Sequence, residues 1–276
     1  MSAPMPPVTL PAGVRVVLAP NPGLMTGPGT NQYLLGSGDE PPVLLDAAAL
    51  DAENERRLRA ATDRLAGLVL THVHPDHVGG VPAVRTRFAV PLAAHRSRAD
   101  FVVGGRALAP ERALEDGDEI AFPGGRLTAV QAPGHESGHL CFHEPDRGWL
   151  FTGDTILSTG TTVIAPPDGD MRAYFATLRR LRALQATVIF PGHGPPIHDP
   201  DAVIAQYLAH RELRERQVLA ALTAAPARPE DLVPGIYPDL APGLAWAAAA
   251  TLRAHLDKLV AEGRVIAAED GTFRAG

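Results

Sequence analysis

A single cysteine and a single lysine stand among the 276 residues of this chain. One thiol, Cys141, rules out an intramolecular disulfide, so stability does not call for an oxidising compartment. Its setting, HLCFHE, reads as a buried strand and the thiol as inert. Lys258 is the one lysine; the Arg, Ala, Gly and Pro that dominate elsewhere read as compositional bias. Basic excess is absent too: the net charge of −6 gives no field drawing the chain to nucleic acid. No run approaches the ~20 apolar residues of a membrane span, and the opening MSAPMPPVTLPAG lacks a basic segment followed by an apolar one. The expected location is cytoplasmic, with no membrane partner. What remains, 45% hydrophobic and 20% charged, is the composition of a globular protein with a sizeable core.

Short apolar runs at Val14 to Ala19, Gln32 to Leu35 and Pro42 to Ala47 predict strands, and Glu53 to Leu65 predicts an amphipathic helix. LVLT is a further strand, VGGVPAVRTRF a short helix, and FAVPLAAH a strand ending at His95. DEIAF, RLTAVQA, HLCFHE and GWLFTGD predict a block of strands bounded by turn residues, followed by a helix over Met171 to Leu184 and the strand TVIFPGHG. Alternating α and β segments around a strand-rich block predict an α/β fold with helices outside two mixed sheets. Beyond residue 199 the pattern turns helical, starting at DPDAVIAQYLAHRELRERQVLAAL and ending in a hairpin with its turn at Asp270 and Gly271. We therefore expect one large domain over 1–199 and a small helical, winged-helix-like domain over 200–276.

THVHPDHVGG, from Thr71 to Gly80, concentrates three of the eleven histidines and an aspartate within six positions. Three later segments also carry candidate ligands where a strand runs out: APGHESGH with His135, FTGDT with Asp154, and FPGHGPP with His193. Imidazole and carboxylate suit zinc and similar divalent ions, and without a Cys ligand the set fits an open, catalytic site. His72, His74, Asp76, His77, His135, Asp154 and His193 are too many for one four-coordinate ion and enough for two sharing a carboxylate. Residues i and i+2 of an extended chain point the same way, so His72 and His74 suit one ion. Pro75 then bends the chain, and Asp76 and His77 suit the other. Water held between two such ions ionises near neutral pH, while the same ions polarise the oxygen under attack.

The pattern His-x-His-x-Asp-His in THVHPDH, with His135, Asp154 and His193 following in order, resembles the metallo-beta-lactamase fold superfamily. The resemblance implies an αββα sandwich with a dinuclear site at one edge. By it, His72, His74 and His135 hold the first ion, Asp76, His77 and His193 the second, and Asp154 bridges. GPGTNQYLLG, GTTV, PGHGP, YLAHRELRERQVL and AHLDKLVAEGRV are further similar to the lactamase-beta-like-2 subgroup, which carries a C-terminal winged-helix-like domain. Activities of that subgroup imply single-stranded RNA cleavage or thioester hydrolysis. Glu136 departs from its pattern, which has Thr after the third-motif histidine; the carboxylate either faces solvent, supports a ligand or meets substrate. His139, four residues beyond His135, is a second candidate for contact with substrate, as an oxyanion donor.

The expected function is hydrolysis of a small ester, thioester or lactone by a hydroxide bridging two zinc-like ions, with Asp76 taking or orienting its proton. Two readings stand against it: a single-stranded RNA endonuclease, and a non-catalytic metal-binding regulator whose appendage binds DNA. From Asp201 onward eight basic and ten acidic residues leave about −2, the wrong sign for reading phosphates. A substrate lid or homodimerisation element is the better reading of the appendage. Trp246 is expected to anchor its packing, and AHRELRER to be a solvated, ion-paired helix face. FVVGGRAL and STGTTVIAPPDG either flank the site and select the substrate or are plain connecting loops, since their Gly and Pro content suits both.

Overall fold

The computed structural model describes residues 10–49, 51–98, 100–241 and 243–276; most of the opening segment MSAPMPPVTLPAG lies outside them. The chain forms two compact units: residues 1–131, 138–160 and 186–200 make the first, and 132–137, 161–185 and 201–276 the second.

In the first unit, strands β1 (Val14–Leu18), β2 (Asn31–Leu35) and β3 (Val43–Leu45) are followed by helix α1 (Ala52–Ala61), β4 (Gly67–Val69), α2 (Pro75–Val78), α3 (Val81–Phe88) and β5 (Leu92–His95). β6 (Phe101–Val103) and β7 (Arg106–Leu108) pair as a hairpin, where the sequence suggested a plain loop. β8 (Arg112–Leu114) then completes a six-stranded sheet ordered β1-β2-β3-β4-β5-β8. β9 (Glu119–Phe122), β10 (Gly125–Gln131), β11 (Leu140–Glu144), β12 (Trp149–Gly153) and β13 (Val188–Pro191) form a second sheet, ordered β13-β12-β11-β10-β9.

Side-chain alternation sorts the first sheet between two cores. Tyr33, Leu35, Val43, Leu45 and Val69 face Phe142, Phe151 and Phe190 of the second sheet. Leu34, Leu44, Leu68 and Leu70 turn the other way, onto Leu58, Val78, Val81 and Val84 of the helices. Burial on both faces explains why these strands are continuous apolar runs. The aromatic centre is locked by Phe151 stacked on Phe190 at 4.9 Å and met edge-on by Tyr33 at 5.3 Å. β3, β4 and β5 run parallel, as do β12 and β13. The loops that bear the candidate histidines and aspartates leave the carboxyl ends of β3, β4, β12 and β13, the usual place for a ligand in open α/β sheets.

The second unit contains α4 (Met171–Ala183), α5 (Pro200–Ala224, beginning at the unit boundary), α6 (Pro229–Ile236), α7 (Ala245–Ala261) and the antiparallel pair β14 (Val265–Ala267) and β15 (Phe273–Ala275). Asp170 caps α4 by accepting from the Ala173 amide, and Pro200 opens α5 as its fixed φ favours. Leu222, Leu232, Leu252, Leu256, Leu259 and Phe273 share one core. Two expectations fail here. Trp246 is 60% exposed rather than an anchor, because the buried stripe of α7 runs through Leu252, Leu256 and Leu259 instead. AHRELRER is not a uniformly solvated face: Arg211 and Glu215 are buried, and Glu215 pairs with Lys258 at 2.8 Å and with buried His255 at 3.4 Å.

This charged packing gives the unit a pH dependence. His210 Nε2 lies 3.3 Å from the donating Arg214 Nε, which requires a neutral ring. Burial, then the charges of Arg211, Arg214 and His255, push its pKa down to about 4. The unfolded ring titrates near 6.5, so it binds more protons than the folded one between those values. Its stabilising contribution is complete above pH 6.5 and is lost as pH falls toward 4. Because the ring is only half-buried, screening reduces that contribution to about 1 kcal/mol. Urea titrations at pH 7 and pH 4.5 should show His210→Gln losing less stability on acidification than the wild type; equal losses would count against the assignment.

Candidate metal centre

The segment leaving β4 is fixed by a carboxylate that sequence reasoning missed. Asp46, at the end of β3 and 2% exposed, accepts from the Thr71 amide and from Thr71 Oγ1, each at 2.8 Å, and from His77 Nδ1 at 2.7 Å. With Nδ1 held by Asp46, His77 turns Nε2 toward the cluster, where it becomes a ligand atom once its proton is released. Thr71 Oγ1, having donated to Asp46, accepts at 2.9 Å from His72 Nδ1, which fixes the same tautomer there. The His74 ring stands edge-on to His72 at 4.7 Å. Pro75 opens α2, whose turn brings the His77 amide to the His74 carbonyl at 2.9 Å and redirects Asp76 and His77.

His193 follows β13. Asn31 Nδ2 donates to the carbonyls of Pro191 at 2.9 Å and Gly194 at 2.8 Å, and its amide donates to Gly192 at 2.8 Å. His193 Nδ1 lies 3.1 Å from the Gly29 carbonyl, so Nε2 again faces inward. Asp154 leaves β12 beyond Gly153, where the β12–β13 register shifts and φ is +46°.

These loops bring Asp76, His77, Asp154 and His193 together. His193 Nε2 lies 3.2 Å from Asp76 Oδ2 and 3.3 Å from Asp154 Oδ1. His77 Nε2 lies 3.3 Å from Asp154 Oδ1, 3.4 Å from His193 Nε2 and 3.6 Å from Asp76 Oδ2. Ligands bound about 2.0–2.1 Å from a tetrahedral zinc ion stand roughly 3.3 Å apart, so the donor set fits such an ion. Gly192 leaves the space: a Cβ there would sit 2.6 Å from Asp154 Oδ1 and 2.8 Å from His77 Cε1.

The electrostatics fit a cation equally well. Burial pulls the His193 pKa down, but its hydrogen bonds to Asp154 and Asp76 raise it to about 9. His77 is driven well above its ordinary value as Asp154 and Asp46 outweigh burial. Asp154 and Asp76 are held below the carboxylate range, because the two histidines outweigh the burial that would raise them. The carboxylates thus demand positive charge, which imidazole protons meet here and a divalent ion can meet with release of those protons.

His72, His74, Asp76, His77, Asp154 and His193 all belong to the first unit, whereas His135 lies in the 132–137 segment of the second. There His135 Nδ1 is 2.8 Å from the Val163 carbonyl, which again makes Nε2 the candidate ligand atom. Neither expected substrate contact faces solvent. Glu136 is 1% exposed, which removes its solvent-facing reading. His139 is fully buried and stacked on His72 at 4.8 Å. Its Nε2 accepts from the Asp154 amide at 3.2 Å and its Nδ1 meets Thr155 Oγ1 at 3.3 Å, so no ring proton is left for an oxyanion. His139 supports the Asp154 backbone instead. Among the described residues no helix is long and apolar enough to cross a membrane.

The chain is similar to known proteins in both sequence and fold. Residues 25–193 match the model of the metallo-beta-lactamase superfamily, and 229–274 that of the beta-lactamase associated winged helix domain. An Aspergillus fumigatus protein named atrochrysone carboxyl ACP thioesterase is 34% identical over 219 residues, covering 78% of this chain and 66% of its own length. The Aspergillus niger lactamase-like protein adaB matches at 34% identity over 65% of its length, so the chain spans about two thirds of these curated relatives. The Drosophila melanogaster beta-lactamase-like protein 2 homolog is 33% identical, with 95% of this chain and 92% of its own covered. Among solved structures, a metallo-beta-lactamase family protein from Thermus thermophilus superposes with a TM-score of 0.81 at 23% identity, covering 96% of this chain and 99% of its own. A protein solved in a di-iron-bound form has a TM-score of 0.55 at 27% identity, covering 70% and 98%. The chain belongs to the metallo-beta-lactamase superfamily, as an α/β sandwich with a C-terminal winged helix domain.

Proposed function

We propose that this protein is a metal-dependent hydrolase of a small ester, thioester or lactone carbonyl. The observation that carries the reading is the group of four inward-facing donors on Asp76, His77, Asp154 and His193. In this proposal, as the family resemblance implies, His72, His74 and His135 would hold a second ion, and Asp154 would serve both. Zinc is the proposed metal for both, since imidazole and carboxylate suit it. When bound, such ions lower the pKa of water and polarise the carbonyl oxygen.

The chain's own residues supply the rest. Asp76 is the more exposed carboxylate of the cluster, 27% against 15% for Asp154. Its lowered pKa keeps it ionised, able to take or orient the proton of the attacking water. Asp46 and the Gly29 carbonyl hold the two imidazoles in one tautomer, so that donors do not reorganise during reaction. The thioesterase name of the fungal relative supports the acyl substrate class.

The test is zinc-loaded protein assayed against acyl thioesters, aryl esters and lactones, and separately against labelled single-stranded RNA, with Asp76→Ala prepared identically. Acyl hydrolysis by the wild type, largely lost in Asp76→Ala, is the expected result. RNA cleavage without acyl hydrolysis would replace the substrate class with a phosphodiester. Zinc-loaded protein inactive on every substrate would overturn the proposal.

A further inference from the structure

We infer that Arg211 and Thr251 are positioning residues for the ligand His135, acting through the backbone of residues 162–164. The inference rests on the proposed metal-ligand role of His135 and adds residues on α5 and α7 to that site.

Three consecutive residues in a stretch without helix or strand give a backbone group to three different side chains. The Thr162 carbonyl accepts from Arg211 Nη2. The Val163 carbonyl holds His135 Nδ1 at 2.8 Å, and the Ile164 amide donates to Thr251 Oγ1 at 3.3 Å. Val163, which sets the tautomer and ring direction of His135, is therefore gripped on both sides. A carbonyl partner of a ligating histidine tunes metal affinity only if it stays in place, and an irregular segment has no ladder of its own to keep it there.

The burial of Arg211 argues that its hold on this segment is its purpose. The side chain is 1% exposed and heads the largest fully buried side chains among the described residues. Its guanidinium carbon lies 5.2 Å from the Tyr174 ring centroid, and its Nε has no hydrogen-bond partner. Burying a guanidinium with a donor unsatisfied is costly, and an apolar residue would fill the same helix position without that cost. Tyr174 also backs the His135 loop: a Cβ on Gly134 would come within 2.5 Å of Tyr174 Cα, and the Gly134 carbonyl accepts from the Asp170 amide at 2.9 Å. His135 is thus steadied along its backbone by α4 and at its ring by a segment tied to α5 and α7.

The test compares full-length wild type with R211Q, R211K, T251V and H135A. Zinc per chain is measured by elemental analysis, zinc affinity by chelator competition, folding by thermal melts, and kcat and KM on a substrate that the wild type hydrolyses. H135A should hold one ion fewer. R211Q and T251V should bind one of the two ions about tenfold more weakly, as loss of a partner that orients a ligand does. Their kcat should fall with little change in KM, and R211K should retain more affinity than R211Q. Folded R211Q and T251V with two ions at wild-type affinity would overturn the inference; should R211Q not fold, the near-isosteric T251V decides alone. Failure of the underlying reading has a different signature, a wild type that takes up no zinc or an H135A that loses none, and either would remove the positioning role with it.

Discussion

Asp154→Ala should lower turnover of the proposed acyl substrates by on the order of 10³-fold, since in the proposed reaction several kcal/mol of transition-state stabilisation would come from correctly held ions. Asp154 Oδ1 lies 3.3 Å from Nε2 of both His77 and His193, so its removal opens the donor set from the side shared by the two proposed ions. It also takes one negative charge from a cluster whose raised imidazole pKa values record how strongly the carboxylates attract positive charge. The fold should survive, because the bond from residue 154 to His139 is made by its backbone amide, which alanine retains. Asp154→Asn separates charge from shape: if charge is what matters, asparagine should lose nearly as much turnover as alanine while melting at the wild-type temperature. Turnover within tenfold of wild type for both variants, at equal zinc content, would take Asp154 out of the site.

The proposed ligands could be named from sequence because their chemistry and spacing are local. A histidine-rich run at the end of an apolar strand announces itself, and the polar residues after β12 and β13 do the same more quietly. What supports those ligands was not legible. Asp46 follows PVLL and looks like any turn aspartate; only the parallel pairing of β3 with β4 brings it under Thr71 and His77. Its φ of +62° is a tertiary outcome with no sequence mark of its own. Nearness to His135 in sequence suggested that His139 shares its mouth, whereas His139, just before strand β11, is fully buried. Arg211 and Glu215 stand four apart in a charged run, a pattern compatible with a solvated face or a buried one; packing decides, and here the pair is covered. The hairpin of β6 and β7 was missed because each strand has three residues, too short for alternation to register.

Asp46→Ala should destabilise the protein by about 3 kcal/mol and weaken zinc binding by roughly 10- to 100-fold, although Asp46 is not itself a proposed ligand. Alanine would strip the partner from the buried Thr71 amide and hydroxyl and from His77 Nδ1. It would also place a side chain with no local hydrogen bond in a left-handed backbone, which adds strain. His77 would then be free to switch tautomer or rotate, withdrawing Nε2 from the cluster. Asp46→Asn separates these effects, because asparagine tolerates positive φ and keeps an acceptor for the Thr71 amide. It lacks the negative charge that raises the basicity of His77. Asparagine should therefore recover most of the stability in urea titrations but only part of the zinc affinity in chelator competition. Recovery of both would mean that Asp46 acts through shape alone; recovery of neither would mean that its charge also holds the β3 and β4 ends together.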